Sequence, residues 1–346
     1  MSDRYQAIRS LGAKAAFGAI VASSLIVAAC GPTPGATTSN PSLTACSVSV
    51  SDFTSTVKTT GMAPKVAGVS GKIAVDGSSA LAPLFSAAAA EFDSANGTST
   101  TVTPNGSGTG LKDVNAGAVQ IGLSDVYAVE KEPSAGAYGK LADHQVAVVA
   151  FTLIVNNDLK GKVGNLTKSE IQQIYFGQVS NWSQLGGPNE IITVVNRPTT
   201  SGTRSTFKTW MLDNKNESNS GAIAQDNTGA VVQTIAQTPG AIGYVTTGFA
   251  ITHPNAVSPI CIDGGKPTAA DISAGKYQFW GVEHAYTNGP AAGGAKALLQ
   301  YVLSDQIQKN DLLKLGYLPI GEISSSAIKA HTPSGAPAPE QLPPLS

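Results

Sequence analysis

The chain has 346 residues, of which 42% are apolar, 6% aromatic and 13% charged, with a formal net charge of −1 at neutral pH. That length and apolar content allow two α/β domains, and the lightly charged remainder, rich in Gly, Ala, Ser and Thr, is that of a secreted globular protein and not of a disordered chain. No basic field is available to draw in nucleic acid, so no nucleic-acid partner is expected.

Arg4, Arg9 and Lys14 precede an apolar stretch from Ala15 to Ala29 that ends in small residues. It is shorter than the ~20 residues of a comfortable membrane span, which predicts a signal peptide over 1–29. Leu25-Ile26-Val27-Ala28-Ala29-Cys30-Gly31 resembles a lipobox, with Cys30 lipidated as the mature N-terminus. A plain secretory signal and an uncleaved anchor are the alternatives. Gly31 to about Pro41 turns to Pro, Gly, Thr and Ser, the composition of a tether, and residues 30–70 are expected to form a lipid-anchored tether and N-terminal extension. Setting Cys30 aside leaves Cys46 and Cys261; two cysteines in an exported chain usually pair, two separate buried thiols being the alternative.

The next segments repeat one device, an apolar run that meets a small-residue turn and then a helix. Ile73 to Val75 runs into Gly77-Ser78-Ser79 and an alanine-rich helix that tolerates Pro83 in its first turn. A β-prone run ends at Asn105-Gly106-Ser107-Gly108, with a helix predicted from about Thr109 to Asn115. Val119 to Asp125 follows as a short strand ending in an acid without a cationic neighbour in sequence. By turn chemistry alone Asp125 reads as a cap. Set among donors, an ionised carboxylate also suits an anion that still carries a proton to donate.

Val146 to Asn156 is a continuous apolar run fit for buried strands. In LTKSEIQQIYFG, Thr167 and Glu170 make a capping box. That helix start has no glycine turn and no companion arginine, so it reads as structural, and Tyr175, Phe176 and Trp182 nearby read as core packing. The third device differs. After the apolar run Ile191 to Val195 comes Arg197, then Ser201-Gly202-Thr203 opening a helix. The first N–H groups of a helix lack intrahelical partners and carry partial positive charge, and a guanidinium adds a planar fork of donors, so this stretch reads as an oxyanion site. An ordinary Ser cap beside a surface arginine is the bland alternative.

Residues 292–320 read as helices with Leu298, Leu299, Val302 and Leu303 on a core face, ended by a Gly-Tyr exit, and the proline-rich end reads as a disordered tail over 326–346. His144, His253, His284 and His331 are scattered, lack zinc spacing and fall outside the turn motifs. Neither a metal site nor a Ser-His-Asp arrangement is expected, and no cofactor.

The succession GSSALAP, NGSGTG, IGLSD, NWSQLGG, NRPTTSGTR and TPGAIGYV, from about Gly71 to about Leu318, resembles the phosphate-binding proteins of bacterial ABC importers. The resemblance implies the two-lobed type II periplasmic binding-protein fold, α/β, with a ligand cleft between lobes and two hinge crossings, near Val155 and near Tyr244. Lobe 1 would comprise 71–155 plus 245–325, and lobe 2 156–244. Carried over position by position, the phosphate ligands are Ser79 with the backbone N–H of Ala80, Ser107, Asp125, Arg197, Ser201, Gly202 and Thr203. One departure stands out: the family often has an acidic residue two positions after the arginine, where this chain has Thr199, so the arginine loses an orienting carboxylate. The implied protein is not an enzyme. It is an exported monomer, lipid-anchored on the outer face of the membrane, that hands inorganic phosphate to ABC permease subunits. A receptor for sulfate or molybdate, or an exported phosphoester hydrolase, are the other readings.

Overall fold

The structure is a computed structural model that describes residues 41–44, 46–49 and 62–345. The expected signal peptide, Cys30 and most of the tether lie outside the described residues. Strands β1 (Gly71–Gly77), β2 (Thr98–Thr103), β3 (Ile121–Ser124), β4 (Leu141–Asn156), β5 (Asn165–Leu166), β6 (Thr193–Asn196), β7 (Ile223–Ala224), β8 (Ala241–Thr246), β9 (Val257–Ile262), β10 (Trp280–Asn288) and β11 (Tyr317–Leu318) form one mixed sheet in the order β2-β1-β3-β10-β4-β8-β6-β7. β1 lies parallel to both β2 and β3, and β6 parallel to both β7 and β8, whereas β4 pairs antiparallel with β10, β8, β9 and β11.

The apolar run Val146 to Val155 explains why β4 occupies the middle of the sheet. Its side chains are buried on both faces, as a central strand covered on two sides requires. β4 is long enough to serve both halves: residues 141–150 pair with β10, and 151–155 pair with β8. The chain therefore changes neighbours within a single strand.

Beyond Tyr244 the chain continues through β9, which pairs with Leu153 to Asn156 of β4. Just ahead of β10, Phe151 N donates to Phe279 O (3.0 Å) and Tyr277 Oη donates to Phe151 O (2.6 Å). The Tyr277 bond joins residues 126 apart, which local sequence patterns do not register.

Helices cover the sheet, among them Ala82–Asn96, Ser107–Asn115, Lys168–Tyr175, Gly202–Trp210, Thr228–Gln237 and Gly293–Val302. The expected capping box is present: Thr167 Oγ1 accepts from Glu170 N (3.2 Å) and Glu170 Oε2 accepts from Thr167 N (2.8 Å). Tyr175 and Trp182 are buried and Phe176 is half-buried against the core. Phe207, on the inner face of Gly202–Trp210, stacks on Tyr244 at 4.3 Å between ring centres, fixing that helix to β8. Burying a side chain of this size contributes about 2 kcal/mol. Among the described residues no helix is long and apolar enough to cross a membrane.

Cys46 and Cys261 form a disulfide, tying the N-terminal extension to β9. Leu43 is buried beside it, its carbonyl accepting from Gly164 N (2.6 Å). At the other end the expectation of a disordered tail fails for the described residues. Ser325–His331 is a helix, and His331 lies between the indoles of Trp210 and Trp280, with ring centres 3.6 and 3.7 Å apart. Farther on, Glu340 N donates to Asp143 O (2.7 Å) and Gln300 Nε2 donates to Pro343 O (2.7 Å). Tertiary contacts override a composition that locally favours disorder.

Candidate anion-binding site

The turns singled out in sequence converge at the ends of β1, β3 and β6. Gly77-Ser78-Ser79 leaves β1, Asp125 follows β3, Arg197 follows β6, and Ser107 opens its helix two residues earlier than expected. Gly110 is what lets that helix lie on the strand ends: a Cβ there would sit 2.6 Å from Asp76 O. Asp125 N donates to Ser107 Oγ (3.0 Å), and the Asp125 carboxylate accepts from Thr203 Oγ1 (2.8 Å) and from Ser78 Oγ. Ser201 caps its helix by accepting from Arg204 N (3.2 Å). Gly202 packs so closely that a Cβ would lie 2.2 Å from Ser107 Oγ and 2.9 Å from Asp125 Cβ. Only glycine fits between those two side chains.

Arg197 is the centre of the cluster. Its side chain is 1% exposed, and only Nη2 has partners, Ser79 Oγ (3.2 Å) and Asp226 O (2.9 Å). Nε and Nη1 are buried without a hydrogen-bond partner. A buried guanidinium with idle donors is costly, and an oxyanion is the partner whose geometry matches its fork. The seven side-chain and backbone positions Ser79, Ser107, Asp125, Arg197, Ser201, Gly202 and Thr203 thus form one cluster. The Ala80 amide is turned to other use, donating to Ser78 Oγ (3.0 Å).

Burial dominates the electrostatics. It raises the Asp125 pKa above the usual carboxylate value, opposed by the bonds from Ser78 and Thr203 and by the charges of Arg197 and Lys131. The Arg197 guanidinium is pushed below its ordinary value by burial, against the stabilising pull of Tyr244, Asp125 and Asp226. Lys131 is pushed down to about 8 by burial, resisted chiefly by Asp125 and Glu130. One buried cation and one buried anion, each surrounded by donors, suit an anion that both accepts and donates.

Comparison with known proteins gives the family. Residues 62–306 match the family described as the PBP superfamily domain. The chain is 43% identical over 256 residues to the phosphate-binding protein PstS of Bacillus subtilis, covering 73% of this chain and 82% of that protein. The chain belongs to the PstS family of the PBP superfamily. A PstS from Borreliella burgdorferi is 24% identical over 213 residues, 59% of this chain and 74% of that one. Among solved structures, a phosphate ABC transporter substrate-binding protein from Clostridium perfringens with bound phosphate superposes with a TM-score of 0.64 at 23% identity, over 72% of this chain and 99% of that one. An ABC-type phosphate transport receptor from Vibrio cholerae gives 0.56 at 24% identity, over 71% and 99%. At these identities the structural likeness shows the fold.

Three neighbours within this candidate site escaped the sequence reading. Ser78, not only its neighbour, faces inward, bonding Asp125 and capping Ala80 and Leu81. Thr228 opens a fourth converging helix: its hydroxyl lies 3.1 Å from Ser79 Oγ, to which its N–H also donates (3.3 Å). The signal was present in Asp226-Asn227-Thr228-Gly229, where Asn227 caps the helix by accepting from Ala230 N (2.9 Å). Lys131 reaches the site only through tertiary structure. At position 199 no carboxylate orients the arginine; the carbonyl of Asp226 holds Nη2 instead.

Proposed function

We propose that this PstS-family protein is the extracytoplasmic binding component of an ABC phosphate importer, which captures inorganic phosphate in an interlobe cleft and delivers it to the permease subunits. The observation that carries the reading is the buried Arg197 with two idle donors, set among the hydroxyls of Ser79, Ser107, Ser201 and Thr203 and the first amides of the Gly202–Trp210 helix. Arg197 would grip phosphate oxygens through its fork. The hydroxyls and the Gly202 and Thr203 amides would complete the acceptor shell, with the Ala80 amide joining on exchange of its present bond. Asp125 would accept the hydrogen of a monohydrogen phosphate, which sulfate lacks at neutral pH, so that an unpaired, repelled oxygen excludes the wrong anion. This favours phosphate over sulfate or molybdate.

In this reading β4 and the segment around 277–280 are the two crossings. One lobe holds the residues before about 150 and from about 280 on, and the other the residues between. Closing the lobes buries the anion between Ser79, Ser107 and Asp125 on one side and Arg197, Ser201, Gly202 and Thr203 on the other. Lipidation at Cys30, with the domain held at the outer face of the membrane as a monomer, belongs to the same proposal. Hydrolysis is disfavoured by the partners of the two sheet histidines: His284 Nδ1 bonds Asp143 Oδ1 (2.8 Å), His144 Nε2 bonds Thr287 Oγ1 (3.0 Å), and both bonds lie away from the site hydroxyls.

Isothermal titration calorimetry on protein stripped of anion tests the proposal. Phosphate is expected to bind at micromolar concentration or tighter, and sulfate not to bind. Asp125→Asn should narrow the gap between the two anions more than it weakens phosphate. Sulfate binding by the wild type overturns the selectivity argument, and binding of neither overturns the function.

A further inference from the structure

The turn that carries the anion donors exposes three consecutive backbone carbonyls, and each is held from across the cleft. Thr200 O accepts from Gly108 N (2.9 Å), at the start of the helix that also presents Ser107. Thr199 O and Ser201 O accept from the same ammonium, Lys131 Nζ, at 2.7 and 3.3 Å. Both donors belong to chain that precedes β4, and all three acceptors belong to chain that follows it. Lys131 owes its place to the short helical turn Ala128–Glu130 just after Asp125, where Tyr127 N donates to Glu130 Oε2 (2.9 Å) and sets the direction of the chain.

We infer that Lys131 is a positioning residue for phosphate capture: it clips the 199–201 turn to the Asp125 side of the cleft and so holds the closed, anion-bound state. The inference rests on the phosphate reading above. The clip acts where the family pattern is broken, because the turn that lacks a carboxylate at 199 is held here by its own carbonyls. Lys131 touches no atom of the arginine fork; it fixes the backbone between Arg197 and the helix start, and with it the direction of the Ser201 hydroxyl and the Gly202 and Thr203 amides. A lysine serves two carbonyls because its three hydrogens are not confined to a plane. Its charge also faces Asp125 and Glu130, with Arg204 and Lys208 as its like-charged neighbours, so the clip adds positive potential near the buried anion without contacting it.

The prediction concerns release more than capture. Contacts made only after the two sides meet slow dissociation and leave association nearly unchanged. Lys131→Met keeps the aliphatic stem and removes the ammonium. With inorganic phosphate, titration calorimetry and stopped-flow release should give a Kd raised about tenfold, almost all of it in a faster off-rate, with the on-rate within about twofold. The unfolding midpoint of the anion-free protein should stay at the wild-type value, and Lys131→Arg should recover most of the affinity, since a guanidinium also donates to two carbonyls. An unchanged Kd and off-rate in Lys131→Met overturns the inference. So does an affinity loss matched by loss of anion-free stability and not recovered by arginine, which makes Lys131 a folding residue. Wild-type protein that fails to bind phosphate overturns the functional reading itself, a result separable from either.

Discussion

Arg197 and Arg204 stand seven positions apart on one stretch of chain, yet they are built into the molecule in opposite ways. Arg204 is half-buried with its partners supplied: Nη1 donates to the Arg197 carbonyl, and Nη2 lies 3.6 Å from Glu217 Oε2, whose other oxygen accepts from Tyr244 Oη (2.7 Å). Arg197 is more deeply buried, and two of its three nitrogens have no partner. Leaving the donors of a buried arginine idle is costly, and an oxyanion ligand would offset that cost. What sets Arg197 apart, as the arginine proposed to bind the anion, is the unmet hydrogen-bonding capacity around it.

The largest expected effect tests that distinction directly. Arg197→Ala should lower phosphate affinity by at least about a hundredfold, because it removes the cation from a buried ion pair worth several kcal/mol when broken. The unfolding midpoint of the anion-free protein should hold or rise, since an unsatisfied buried charge is gone. A lowered midpoint with retained affinity would make Arg197 the structural member of the pair. The converse substitution, Arg204→Met, should cost about 1–3 kcal/mol of stability, read by denaturant unfolding, because Glu217 is left buried against Tyr244 with less compensation. Its phosphate affinity should change less than threefold. If Arg204→Met instead abolishes binding at full stability, the comparison collapses.

The smallest effect extends the same reasoning to a histidine. Burial between Trp210 and Trp280 pushes His331 down to about 3, opposed only by a backbone bond at Trp280. The unfolded or undocked segment takes up a proton near the ordinary value of 6.5, and the docked one does not. Docking stability is therefore complete above about pH 6.5 and falls as pH drops toward about 3. Acidification from pH 7 to 4.5 should raise amide exchange in Ser325–His331 a few-fold and change tryptophan emission, while His331→Phe stays flat. Equal responses from the two proteins would remove His331 as the cause.

Much of the candidate site was legible because its chemistry is local. Helix caps, tight glycine turns and an acid at a strand end are written within four or five residues, so Ser107, Asp125, Arg197 and the Ser201-Gly202-Thr203 start could be picked out before any fold was known. The α/β class followed from alternating runs, and the disulfide from two cysteines in a chain read as exported. What escaped depends on distant segments meeting. Nothing near Val257 announces pairing with β4. Nothing near His331 announces two indoles waiting for it, so an ordered segment read as tail. The choice between Ser78 and Ser79 and the reach of Lys131 were equally invisible, because each is decided by which turn lies opposite; the helix start at Thr228 had a local signal in its Asn227 cap, but its meeting with Ser79 did not.

The disulfide between Cys46 and Cys261 spans a sequence separation of 215. Every residue of the anion cluster, from Ser78 to Thr228, lies within the closed loop, while β10 and the C-terminal segment lie outside it. A single protease cut at any exposed turn of that loop consequently leaves one covalent molecule, its two pieces joined through sulfur. Such nicked protein migrates as intact chain on a denaturing gel run without thiol and separates into fragments only after reduction.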